Sequence, residues 1–223
     1  GLYHYLRLGY CAFGLTPVRE VGWVQAGETL HQEADGRFYV AGGYDNAALA
    51  AQLERRDATP EECIERTRAA MEPAIQNTQG SLVLPLSGGY DSRLLGGLLT
   101  PQERANTHAY TYGIAFDQSR SREVIAARLA AERLGIPWAR IEMGHYHDFL
   151  DEWVEQNGPA AGAGGMYHIE FYRRILNRQE DAGLVLSGMV GDLFAGNHHF
   201  GNITRPEHMY KLGLTHGVEV PEE

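Results

Sequence analysis

At 223 residues the chain is long enough for one large domain, or one domain with an appendage, built around a substantial core. Hydrophobic residues make up 43% of it and charged residues 22%, which is usual for a soluble globular protein. The formal charge of −10 argues against a nucleic-acid partner held by a broad basic surface. No apolar run reaches the roughly 18 residues of a membrane span and no signal peptide is visible, so no membrane partner is expected.

The cysteines and histidines give no metal motif. Cys11 and Cys63 are far apart and form no Cys-x-x-Cys pair, which excludes a zinc ribbon or a redox motif of that type. A disulfide between them stays open, although a reduced, cytoplasmic setting is the simpler interpretation. Zinc binding is not predicted for the clustered histidines, because none has a paired ligand motif at matching spacing: His145, His147, His168, His198, His199 and His208.

In chain order, residues 2–10 mix apolar and aromatic residues at helical spacing, and helices and strands alternate from residue 46 onward. Apolar spacings of three and four predict helices over 47–56 and 60–76, with Thr59 as the cap and Pro60 in the first turn. Further strands are predicted over 81–86, 108–112, 138–143 and 184–187, and helices over 92–99, 121–134, 147–156 and 169–179. This alternation predicts an α/β fold, a doubly wound parallel sheet covered on both faces.

The junction after the strand at 81–86 is the most informative part of the sequence. Residues 87–92 read Ser-Gly-Gly-Tyr-Asp-Ser and lead into a helix. Two adjacent glycines let backbone N–H groups face a ligand, and the helix adds unpaired donors and the positive end of its dipole, so phosphate is the expected guest. Asp91 would repel phosphate unless a divalent cation lay between them, which predicts Mg²⁺ as well.

The last predicted strand ends in a similar way. The chain leaves this strand through Ser187 and Gly188, and a lone carboxylate, Asp192, follows. Two carboxylates from neighbouring strand ends, together with phosphate oxygens, would make an octahedral magnesium site. The alternative is that Asp192 belongs to a turn or caps a helix.

These segments resemble a known family. The loop differs from Gly-x-x-x-x-Gly-Lys-Ser/Thr and resembles the pyrophosphate loop of the N-type ATP pyrophosphatases, also called the PP-loop superfamily. Residues 185–196 resemble the asparagine synthetase segment Leu-Ser-Gly-Glu-Gly-x-Asp-Glu-x-Phe-Gly-Gly, and residues 1–10, 15–17 and 26–30 resemble the end of the glutaminase domain of those enzymes. The chain therefore resembles the asparagine synthetase family.

The resemblance implies an adenine nucleotide α-hydrolase-like domain over residues 46–223, incomplete at its C-terminal end, preceded by a remnant of a glutaminase domain and linker over 1–45. It implies a cytoplasmic ligase that adenylates a carboxylate with MgATP, releases pyrophosphate and transfers ammonia or an amine. Asp91 and Asp192 would be the catalytic, magnesium-binding residues. The residues implied in ATP binding are Leu86, Ser87, Gly88, Gly89, Asp91, Ser92, Tyr112, Ser187 and Gly188.

Aspartate, converted to asparagine, is the leading substrate prediction. The glutaminase domain would lie upstream in the same chain or be supplied in trans. Two departures leave room for other amides: Met189 stands where the family has Glu, and the acid after the metal-binding Asp is replaced by Leu193 or deleted. A thioether cannot move protons. The alternatives are a β-lactam synthetase or lasso-peptide cyclase-like ligase and a non-catalytic nucleotide-binding module; the sequence is also compatible with a homo-oligomer.

Three further features of the sequence have an ordinary structural interpretation beside a functional one. Arg93 suits either a phosphate-supporting cation or a solvated first-turn residue. Glu123 is interpreted as a first-turn residue interacting with the helix dipole rather than as a catalytic group. The aromatic stripe at helical spacing is interpreted as core rather than substrate pocket: Tyr167, His168, Phe171 and Tyr172.

Overall fold

A computed structural model of the chain describes residues 1–8, 10–11, 14–43, 59–158, 165–189 and 191. The chain divides into two compact units, the smaller formed by residues 1–58, 157–162 and 200–223 and the larger by 59–156 and 163–199. The predicted helix at 47–56 and Asp192 lie outside the described residues. Within the described part, no helix combines the length and the apolar character required to cross a bilayer.

The smaller unit contains helix α1 (Leu2–Leu8) and an antiparallel hairpin of β1 (Glu28–Gln32) and β2 (Phe38–Gly42). The hairpin was absent from the sequence prediction, although the turn residues Asp35 and Gly36 signal it. Gly36 adopts φ +85°, and the Asp35 carboxylate accepts a hydrogen bond from the Arg37 N–H at 3.0 Å.

The larger unit alternates helices and strands. Its first helix, α2 (Pro60–Gln76), has the predicted bounds, because the Thr59 hydroxyl accepts from the Glu62 N–H and the Glu62 carboxylate accepts from the Thr59 N–H. The elements that follow are β3 (Ser81–Pro85), α3 (Tyr90–Leu98), α4 (Pro101–Ala105), β4 (Thr107–Thr111), α5 (Arg122–Leu134), β5 (Trp138–Arg140), α6 (Leu150–Asn157), α7 (Tyr167–Leu176) and β6 (Ala182–Val185). Short 3₁₀ turns at Gln118–Arg120 and Tyr146–Phe149 precede α5 and α6.

The four strands of this unit form a parallel sheet in the order β5-β4-β3-β6. Alternate residues of β3 face opposite sides: Leu82 and Leu84 pack in a core with residues of α2, α3 and α5, whereas Val83 packs with Phe171 and Ile175 of α7. Helices therefore cover both faces, and the predicted α/β class with a doubly wound parallel sheet is confirmed.

Several predicted bounds were wrong. β5 ends at Arg140 rather than residue 143, and β6 covers Ala182–Val185 rather than 184–187, because its pairing with β3 runs from Ser81 to Val83. Helix α7 begins two residues earlier than predicted and stops at Leu176, where Asn177 caps it through the Arg173 and Ile175 carbonyls. The short helix α4 was not predicted.

Candidate functional site

The site begins where β3 ends. The Leu86 N–H donates to the Tyr110 carbonyl at 2.8 Å, and the Leu86 carbonyl accepts from the Thr111 hydroxyl. Thr111 in turn accepts from the Trp138 indole N–H at 3.1 Å. Neighbouring strand ends are thus tied together through buried polar groups, which fixes the point at which the loop leaves the sheet.

The two serines of the loop hold its shape. The Ser92 hydroxyl is buried; it accepts from the Ser87 N–H at 3.0 Å and lies 3.1 Å from the Ser87 hydroxyl oxygen. The Ser87 hydroxyl oxygen also accepts from the Gly89 N–H at 3.1 Å. The loop is therefore preorganised by its own hydroxyls and enters α3 with Gly89 at the N-cap.

Arg93 fastens the same loop from outside the cavity. Its Nε donates to the Gly89 carbonyl at 2.9 Å, and its guanidinium lies 4.6 Å from the centroid of the Tyr90 ring. The guanidinium is thereby occupied by the loop's own backbone and a neighbouring ring. These contacts favour a loop-holding role for Arg93 over that of a phosphate-facing cation.

The segment after β6 packs directly onto this loop. A Cβ on Gly188 would lie 2.6 Å from the Ser92 backbone nitrogen, and a Cβ on Gly191 would lie 2.6 Å from Cγ of Asp91. Only glycine permits these approaches without a shift. Gly191 immediately precedes Asp192 in the sequence, and Asp192 itself lies outside the described residues.

These elements enclose a cavity of about 310 Å³ at the carboxyl ends of the strands. Seven of the predicted site residues line it: Leu86, Ser87, Asp91, Ser92, Tyr112, Ser187 and Gly188. Gly88 and Gly89 belong to the loop but are not among the lining residues; a Cβ on Gly88 would instead meet the Ala126 side chain of α5 at 2.9 Å. The loop after β3 and the segment after β6 therefore line one cavity, although they are about a hundred residues apart in sequence.

Helix α7 supplies a wall that the sequence analysis assigned to the core. His168, Phe171 and Tyr172 line the cavity from one helical face, at spacings of three and four residues. Phe171 is also buried in the core against Val83, so the stripe has both roles. The Tyr112 ring packs against this face, with centroids 5.4 Å from Tyr167 and 5.0 Å from Phe171. Helical spacing was the available signal, but it is the same for a core face and a cavity face.

Burial tunes the titrating groups of this wall. It raises the pKa of the Tyr112 hydroxyl well above its usual range, with a further contribution from the neighbouring Tyr167 hydroxyl. Burial likewise raises the pKa of Tyr172, which the Ser187 hydroxyl partly opposes. Burial alone lowers the pKa of His168, so its imidazole is neutral at pH 7.

The formally charged side chains among the described lining residues are Asp91 and Glu123, both acidic. Glu123 lies in the first turn of α5, as predicted, and also lines the cavity, which was not foreseen. Within the described chain, the Asp91 carboxylate has no hydrogen bond or ion pair. An unpaired acid in a cavity suits a cationic guest or an anion accompanied by a cation.

The comparison with family models decides the assignment. The model described as asparagine synthase matches residues 65–213, well over half of the chain and the whole of the described cavity. The chain belongs to the asparagine synthase family. Its members are ATP-using amide ligases of the PP-loop superfamily, so an ATP-binding, nucleotide-using class is established for this chain.

Other comparisons add little to the family assignment. No curated protein matches the sequence. Among solved structures, the NH3-dependent NAD synthetase from Campylobacter jejuni subsp. jejuni NCTC 11168, in complex with the nitrate ion, is similar. It is 16% identical, with 70% of this chain and 72% of that chain covered and a TM-score of 0.44.

The donors at the loop fit the magnesium that accompanies ATP in such ligases. Asp91 offers a carboxylate that has no protein partner in the described chain. Hard oxygen ligands of this kind suit Mg²⁺, which keeps several waters and phosphate oxygens in its shell. The described residues contain no group of three or more His, Cys, Asp or Glu side chains arranged to hold a metal.

Proposed function

We propose that this chain activates a carboxylate by adenylation with MgATP, releases pyrophosphate, and transfers the acyl group to ammonia or an amine. One observation carries the proposal: Ser87, Asp91 and Ser92 of the loop line a single cavity with the Ser187-Gly188 segment, at the carboxyl ends of parallel strands. Such sheets bind ligands at this edge.

The cavity offers separate places for the parts of ATP. Leu86 and Tyr112 lie at two neighbouring strand ends, where backbone groups and the aromatic wall of α7 suit an adenine ring. Ser187 and Gly188, of which Gly188 packs against Ser92, suit the ribose and α phosphate. The unpaired amides of the first turn of α3 suit the β and γ phosphates.

These groups account for the chemistry of the first step. Prepositioned N–H donors stabilise the negative charge that grows on the departing pyrophosphate. Asp91 and Asp192 are the residues proposed to hold magnesium. When bound, the cation would supply neutralisation of the phosphate charge. The carboxylate substrate attacks the α phosphorus, and the bond from that phosphorus to the β-phosphate bridging oxygen breaks.

Aspartate is the leading acyl substrate and asparagine the leading product, in a cytoplasmic enzyme. The glutaminase remnant proposed for residues 1–45 would connect ammonia supply to the PP-loop domain of residues 46–223, from an upstream domain or in trans. Assembly as a homo-oligomer remains part of this proposal.

A second candidate is favoured by Met189. Its side chain lines the cavity and is 55% exposed, and its thioether cannot relay a proton. A ligase that forms a β-lactam or a macrolactam, with its proton acceptor elsewhere, accommodates this replacement. A non-catalytic nucleotide-binding module is less favoured, because such a module has little use for a metal-directed carboxylate in the cavity.

ATP–pyrophosphate exchange with the full chain tests the proposal. Labelled pyrophosphate should enter ATP only when Mg²⁺ and a suitable carboxylate are present, and a chelator should abolish the exchange. A panel of aspartate, β-amino acids and peptide carboxylates identifies the acyl substrate. Nucleotide binding without exchange for any carboxylate would favour the non-catalytic module, and release of ADP with inorganic phosphate would contradict adenylation.

A further inference from the structure

One ionisable group in the cavity has no part in adenylation as proposed. His168 lies on the face of α7 that lines the cavity, one helical turn before Tyr172, with ring centroids 6.4 Å apart. Its ring also packs on Tyr167, at a centroid distance of 4.2 Å. In the described chain neither ring nitrogen has a hydrogen-bond partner. His168 is thus held by ring contacts, with its nitrogens uncommitted.

The second step of the proposed reaction needs a proton acceptor. An amine nitrogen that attacks a carbonyl carbon must lose a proton for the amide to form, and a well-placed base accelerates this transfer. Water at neutral pH is a poor acceptor.

The other groups suit this task less well. The cavity tyrosines Tyr110, Tyr112 and Tyr172 have pKa values raised mainly by burial, so they remain protonated near neutral pH and can donate but not take up a proton. Asp91 is assigned to the metal. Glu123 is exposed in the first turn of α5, on a different element from the aromatic wall that holds His168.

Burial lowers the pKa of His168, so the neutral imidazole is available to accept a proton at pH 7. The titratable groups that face its surroundings are Tyr167 and Tyr172 from its own helix and Tyr112 from the end of β4, with Asp91 and Glu123 on other walls of the cavity. The described residues that line the cavity include no cation that would compete with a protonated imidazole.

We propose that His168 is the catalytic residue that takes the proton from the attacking amine. The nitrogen lone pair forms the C–N bond at the acyl carbon, and the bond from that carbon to the AMP oxygen breaks with its electron pair leaving on AMP. The nitrogen's proton passes to a free ring nitrogen of His168 and from there to solvent. This inference rests on the proposed function and deepens it.

The test separates the two half-reactions in the full chain. His168→Gln should leave carboxylate-dependent ATP–pyrophosphate exchange within about twofold of wild type and reduce amide formation about 100-fold. The wild-type rate of amide formation should fall as the pH drops through the imidazole pKa. In His168→Gln the rate should no longer show this fall, the acid limb of the pH profile. His168→Ala should regain part of the rate with added imidazole.

A matched surface variant serves as the control. His147→Gln alters a histidine whose side chain is 67% exposed and should leave both half-reactions unchanged. Amide formation by His168→Gln at the wild-type rate with the same acid limb would overturn the assignment. So would equal losses of exchange and amide formation in both His168→Gln and His168→Asn. No exchange by the wild-type chain with any carboxylate would instead overturn the proposed function.

Discussion

Replacing Asp91 by Asn should reduce carboxylate-dependent ATP–pyrophosphate exchange by about 10³-fold, because the neutral amide can no longer hold the cation against the phosphates. The substitution keeps the side-chain shape, so the packing of Asp91 against Gly191 is preserved. Far-UV circular dichroism and the thermal midpoint should remain close to wild type. Raising the Mg²⁺ concentration should recover only part of the lost rate.

Asp151→Asn is the matched control for this change. Asp151 is an exposed acid in the first turn of α6, away from the lining of the cavity. Its replacement should leave exchange within about twofold of wild type, since an exposed helix-terminal charge has only a small effect on stability. Full exchange activity in Asp91→Asn would show that the loop acid does not take part in the chemistry.

Replacing Gly188 by Ala should lower exchange by at least about 10²-fold, because the new methyl group forces the loop and the β6 segment apart by close to 1 Å. The added Cβ would lie 2.6 Å from the Ser92 nitrogen and 3.0 Å from the Asp91 carbonyl carbon. Both contacts are to backbone, which cannot rotate away. The loss should appear in the affinity for MgATP as well as in the exchange rate.

Gly97→Ala provides the comparison within the same region of the chain. Gly97 lies in α3, and a Cβ there would meet no heavy atom within 4 Å. This variant should keep wild-type exchange and gain about 0.5–1 kcal/mol of stability, since Ala is the better helix former. If Gly188→Ala were as active as Gly97→Ala, the close approach of the two segments would have no functional importance.

The sequence predicted best those features in which the local backbone geometry requires a particular type of residue. The Ser-Gly-Gly loop and the Ser187-Gly188 segment could be predicted because small residues directly after apolar strands have few other uses. The start of α2 could be predicted for a similar reason, since Thr59 suits the cap and Pro60 the first turn. Each of these predictions depends on contacts within a few residues of chain.

Features that depend on long-range packing were not accessible in this way. The face of α7 has the same spacing whether it meets a core or a cavity, so His168 and Tyr172 were assigned to the core. The role of Arg93 depended on the position of the Gly89 carbonyl and the Tyr90 ring, which no periodicity encodes. The β6 bounds followed from pairing with β3, which the local sequence does not specify.

In the proposed reaction, the cavity at the strand ends brings a carboxylate to the α phosphorus of ATP. Transfer of isotope from the substrate to the nucleotide tests this step. A carboxylate that supports exchange is labelled with oxygen-18 in its carboxyl group, and the nucleotide product of one complete reaction is analysed by mass spectrometry. Adenylation predicts AMP that carries one labelled oxygen. Unlabelled AMP, or label in inorganic phosphate with ADP as the nucleotide product, would contradict the account.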